Sequence, residues 1–196
     1  MIKLIAGLGN PATKYGGTRH NIGYEVLESL KNKWETINCS SKFEAEINEV
    51  RPQSDRGLTS GKLYLFKSKT FMNESGKPLG EFARFYKIEP QEVLIIYDDV
   101  DLPVGHLRLS EGGSSGHQGV LSIMENLEED FWRLRIGIGD NRAVGLPSET
   151  YVLQKFKPEE KEIIKKSIEK SAELIEMLVK GEDIKSEIAE FNKNLV

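Results

Sequence analysis

The sequence predicts an α/β fold, a three-layer α/β/α sandwich around a mixed, mostly parallel central sheet. Two observations predict it. Short apolar runs alternate with stretches of helical periodicity along the chain, the pattern of strands connected through helices. The runs at 93–97 and 106–109 are too close for a helical crossover, so they are expected to be antiparallel to each other and to make the sheet mixed.

The elements follow in order. Ile2 to Leu8 reads as a buried first strand. Asn21 to Trp34 reads as a helix with Ile22, Val26, Leu27 and Leu30 on one face and Asn21 as its cap. Phe43 to Val50 alternates apolar and polar residues and reads as a strand, 51–61 as a loop and Lys62 to Phe66 as a further strand. A helix is expected over Asn73–Tyr86, with Asn73 as its N-cap. Val93–Tyr97 is a continuous apolar strand running into Asp98 and Asp99, and His106–Leu109 a second strand. The loop Gly112–Gly116 leads to a helix near His117–Asn126, and Arg133–Gly139 is a strand. Lys157-Pro158 opens a long amphipathic helix that Gly181 stops, and a short helix ends the chain.

The 196 residues, 38% hydrophobic and 30% charged, suit one soluble domain spanning 1–196. The apolar run at Ile2–Leu8 is too short for a signal-peptide core or a membrane span, so a cytoplasmic protein is expected, and a monomer because no heptad or repeated apolar surface is evident. The single cysteine, Cys39, excludes an internal disulfide and a thiolate zinc site. The net charge of −4 argues against coating nucleic acid by bulk charge. Residues 158–196 hold seven Lys against ten Asp and Glu, which leaves twenty basic and twenty-one acidic residues elsewhere and room for a local basic face.

Five polar clusters fall where strands end or helices begin, the usual place for ligands in such folds. They are Gly7–Pro11, Thr18–Asn21, Thr70–Asn73, Asp98–Asp101 and the glycine loop with His117 and Gln118. No Gly-x-Ser-x-Gly elbow and no Gly-Lys-Ser/Thr phosphate loop is present. A histidine, several amides and a strand-end carboxylate, without an evident nucleophile, point to water activated by a general base. His20 is the candidate base, and Asp98 the carboxylate that would fix its tautomer. Asp98, Asp99 and Asp101 are poor metal ligands as read here, because no histidine adjoins them in sequence.

Six stretches in this order resemble the bacterial peptidyl-tRNA hydrolase family. They are Gly7-Leu-Gly-Asn-Pro11, Tyr15-x-x-Thr-Arg-His-Asn-x-Gly23, Thr70-Phe-Met-Asn-x-Ser-Gly76, Asp98-Asp-Val-Asp-Leu-Pro103, Gly113-Ser-Ser-Gly-His117 and Arg133-Leu-Arg-Ile-Gly-Ile-Gly139. The resemblance covers nearly the whole chain. It implies hydrolysis of the ester joining a peptide to the terminal adenosine of tRNA, with no metal or organic cofactor. It implies His20 as base, Asp98 as its partner, Asn10 as reader of the acylated amino group and Asn73 as the group orienting water or ester. It implies contacts of Tyr15 and Phe71 with the tRNA 3′ end, Met72 and Gln118 as further substrate-binding positions, and His117 and Arg135 on the nucleic-acid-facing rim. The family's glycine loop usually reads Gly-His-Asn-Gly; this chain has Gly116-His117-Gln118-Gly119 in a loop one residue shorter. Phosphate contacts are expected from among Lys67, Lys69, Arg84, Lys87, Arg108, Arg133 and Arg135. A catalytically silent RNA-binding relative and a different hydrolase on the same scaffold are the alternatives.

Overall fold

The computed structural model describes residues 1–11, 13–52, 61–114, 116–127 and 131–195. Seven strands form one sheet in the order β2-β3-β4-β1-β5-β7-β6. They are β1 (Leu4–Gly7), β2 (Glu35–Lys42), β3 (Ala45–Arg51), β4 (Leu63–Ser68), β5 (Val93–Asp99), β6 (Leu107–Glu111) and β7 (Trp132–Gly137). The central strands β4, β1, β5 and β7 run parallel, while β3, β2 and β6 join through antiparallel pairs. The helices are α1 (Ile22–Lys33), α2 (Gly76–Tyr86), α3 (Gln118–Leu127), α4 (Ser148–Tyr151), α5 (Pro158–Val179) and α6 (Lys185–Lys193).

The strand period of two builds the three layers. Leu94 and Ile96 of β5 join α1 and α5 in one core, with Ile22, Leu30 and Ile175. Val93, Ile95 and Tyr97 face the other way and pack with Leu79, Phe82, Val120 and Ile123 of α2 and α3. Both faces of β5 are therefore covered, which is why its sequence is continuously apolar rather than alternating.

β6 runs antiparallel to β5, as expected, and pairs with β7, which lies between the two. Three other points differ from the sequence reading. β2 was not foreseen; its sequence is polar and its residues are almost all exposed, because it is an edge strand held by the β3 ladder. The helix expected from Asn73 begins at Gly76, after a 3₁₀ turn over Met72–Glu74 that Phe71, not Asn73, caps. Asn21 occupies the N-cap position of α1 without capping it, since its side chain is engaged elsewhere. The loop expected at 51–61 lies largely outside the described residues. Cys39 is exposed on β2. Among the described residues no helix is long and apolar enough to cross a membrane.

From β1 the chain returns to the sheet on one side, and from β5 it continues on the other. The crevice at the carboxyl ends of this strand pair is the standard ligand position in open α/β sheets. Asn10 follows β1 there, and Asp98 lies in the last turn of the β5 ladder.

Candidate active site

His20 sits in a single 3₁₀ turn, Arg19–Asn21, directly before α1. Its Nδ1 lies 2.9 and 3.0 Å from the two carboxylate oxygens of Asp98. Asp98 is buried, and its Oδ1 also lies 3.1 Å from Nε2 of His117. The two imidazoles stand 5.1 Å apart, and the Tyr97 ring packs 4.8 Å from His117. One buried carboxylate thus serves two histidines.

The hydrogen bonds assign the protons. The Val120 amide donates to Nδ1 of His117 at 3.4 Å, so His117 carries its proton on Nε2 and donates it to Asp98. His20 donates from Nδ1 to the same carboxylate, which leaves its Nε2 with a lone pair. Burial pushes the Asp98 carboxyl up, but the facing His20 and His117 more than offset this and hold it well below the usual carboxylate range. A negative charge therefore stands beside Nδ1 of the His20 ring.

Asn10 is fixed on three sides. Its amide donates to Oδ1 of Asn21 at 2.8 Å, and its carbonyl accepts from Nδ2 of Asn21 at 3.0 Å. Its own Oδ1 accepts from the Met72 amide at 2.9 Å. These bonds engage the backbone amide, the carbonyl and Oδ1 of Asn10, and its Nδ2 belongs to the side chain that lines the cleft. Asn21 was read from sequence as a helix cap; its actual work is to orient Asn10, and only the fold reveals that pairing.

A cleft of about 420 Å³ opens over these groups, lined by Asn10, His20, Asp98, His117 and Gln118 from the predicted set. Ser148, Glu149, Val152 and Leu153 also line it, and sequence reasoning misses them because nothing in that stretch carries evident chemistry. Among the described residues the side chain of His20 is hydrogen-bonded to the Asp98 carboxylate and to no serine, threonine or cysteine side chain.

The other predicted residues lie around the cleft. Met72 is buried beside Asn10, while Asn73 and Phe71 are exposed on the same turn. Tyr15 is half-buried with the Lys14 ammonium over its ring. Arg135 is ion-paired with Asp99 at 2.9 Å. Arg133 is buried, donating to the carbonyls of Gly113 and Glu111, so it braces the glycine loop and cannot be a surface phosphate contact as expected. Lys67 is engaged with Glu28. The expectation that no histidine joins the acidic cluster is also corrected. Donor atoms of His20, Asp98 and His117 lie within 4.8 Å of one another, close enough to hold a metal ion. In the arrangement present, those atoms are joined by imidazole–carboxylate hydrogen bonds.

The peptidyl-tRNA hydrolase family profile matches residues 4–196. A peptidyl-tRNA hydrolase of Clostridium botulinum is 41% identical over 194 residues, covering 96% of this chain and 95% of its own. One from Syntrophomonas wolfei is 42% identical over 182 residues, covering 92% and 94%. The crystal structure of peptidyl-tRNA hydrolase from Acinetobacter baumannii superposes with a TM-score of 0.79 at 34% identity, over 92% of this chain and 89% of that one. A hydrogenase maturation protease of Thermococcus kodakarensis shares the fold alone, at 15% identity and a TM-score of 0.50. The chain belongs to the peptidyl-tRNA hydrolase family.

Proposed function

We propose that this chain hydrolyses the ester between a peptide, or an N-blocked amino acid, and the 3′-terminal adenosine ribose of peptidyl-tRNA, recycling tRNA stranded by premature release. Its membership of the family supports the reaction. The observation that carries the mechanism is the buried Asp98 holding Nδ1 of His20, which leaves Nε2 as the base.

In this reading Nε2 takes a proton from water as the water oxygen attacks the ester carbonyl. Asp98 stabilises the imidazolium. The proton then passes to the departing ribose oxygen. The Asn10 amide nitrogen donates to a carbonyl of the acylated amino group, a partner that a free aminoacyl ester lacks, and Asn73 orients the water or the ester. Tyr15, Phe71, Met72 and Gln118 hold the tRNA end, with His117 and Arg135 on its rim. No cofactor enters these steps. The protein acts as a monomeric single domain in the cytoplasm, where such esters arise.

The test is turnover of N-acetylaminoacyl-tRNA against the free aminoacyl form. The wild type cleaves the blocked ester selectively. The His20→Ala variant keeps its fold and tRNA binding while kcat falls by about 10²–10⁴. A variant retaining most of the wild-type rate would remove His20 from its role.

A further inference from the structure

Arg19 is among the largest fully buried side chains of the protein. Its guanidinium donates to Oε2 of Glu160 at 2.8 Å and to the Ile138 carbonyl at 3.2 Å. It lies between two rings, 4.5 Å from that of Tyr151 and 4.8 Å from that of Phe156. The Tyr151 hydroxyl donates to the same Ile138 carbonyl at 2.8 Å. Four separate parts of the chain meet here: the end of β7, the His20 turn, α4 and the first turn of α5.

The backbone around Arg19 is tied to the same segment. The Arg19 amide donates to the Gln154 carbonyl at 2.9 Å, and the His20 amide to the Val152 carbonyl at 2.8 Å. Thr18 bridges to Lys155. The segment so held carries Ser148, Glu149, Val152 and Leu153, which line the cleft together with His20 and His117.

A buried ion pair is a poor way to gain stability, because desolvation consumes much of its attraction and apolar replacements of similar volume are often as stable. Here Nε of Arg19 also lacks a hydrogen-bond partner among the described residues. What a two-pronged, sandwiched guanidinium supplies and an apolar side chain does not is direction. We infer that Arg19 is a positioning residue: with Glu160 it latches the 148–157 wall in register with His20, and so sets how tightly the cleft holds the acyl side of its substrate. This rests on the reaction proposed above.

The experiment compares wild type with the double variant Arg19→Met, Glu160→Leu, and with Glu160→Gln in case the double variant does not fold. The expected result is a melting temperature near that of the wild type, with KM for N-acetylaminoacyl-tRNA raised about tenfold and kcat lowered by less than about threefold. In hydrogen exchange the Arg19 and His20 amides lose protection while those of Ile95 and Ile96 keep theirs. Unchanged KM in a folded variant, or loss of stability and rate together with both amides still protected, would overturn the latch. Should the wild type fail to cleave the substrate, the proposed reaction falls, and the exchange measurement alone still decides whether the wall is held through Arg19.

Discussion

Gln118 lies on the cleft, at the first position of α3 and directly after His117. Glutamine offers the same amide as asparagine but carries it one methylene further out. A displacement near 1 Å is enough to cost a positioned group much of its effect. Gln118→Asn is therefore expected to change kcat/KM for N-acetylaminoacyl-tRNA by about three- to tenfold, measured by steady-state kinetics. An unchanged value would take the side chain out of substrate handling. His117 next to it is anchored twice, by the Val120 amide and by Asp98, so the substitution can be read without concern for the neighbouring imidazole.

At the scale of elements, the site depends on how closely α1 approaches the sheet. Gly23, in the first turn of α1, has no room for a side chain: a Cβ there would lie 2.4 Å from the Ile96 carbonyl oxygen and 2.5 Å from the Leu8 amide nitrogen. Both are backbone atoms of the sheet's centre, which cannot yield. Gly23→Ala should push α1 outward at a cost of about 1–3 kcal/mol, and should reduce turnover further, because His20 travels with α1 while Asp98 stays on β5. Thermal melting and kcat measured together test this, and native values of both would refute the tight packing. The same elements show what was legible beforehand. β5 could be read because a strand covered on both faces must be continuously apolar, and it led straight to Asp98. β2 could not, because an exposed edge strand owes its pairing to β3 rather than to its own side chains. Arg19 could not, because its partner Glu160 lies 141 residues away and arginine is ordinarily a surface residue. Asn21 read as a cap because its position before a helix is the local signal, whereas its bonds to Asn10 are set by the sheet.

Across the whole molecule, the charge of Asp98 is also part of what keeps the chain folded. Asp98 sits in the core and titrates below its ordinary value, since the imidazoles of His20 and His117 outweigh the effect of burial. Glu46, bonded to Lys31, is lowered too, but it lies nearer solvent, where screening weakens its contribution. Below about pH 4 an unfolded aspartate takes up a proton that native Asp98 still refuses. The unfolded state then binds more protons than the native one, so stability falls with falling pH. The contribution of Asp98 is thus complete above its unfolded pKa and is lost as the pH drops through the lower native value. Asp98→Asn should be less stable than wild type at neutral pH by about 1–3 kcal/mol, because the neutral amide loses the charge that faces both imidazoles and puts an N–H donor where Oδ2 faces Nδ1 of His20. That gap should shrink below about pH 4, where the unfolded wild-type aspartate, which the variant lacks, takes up its proton. Urea unfolding at stepped pH reads this directly. A gap that persists unchanged to pH 3 would mean that the carboxylate's charge contributes nothing to the fold and that the two histidines are held by packing alone.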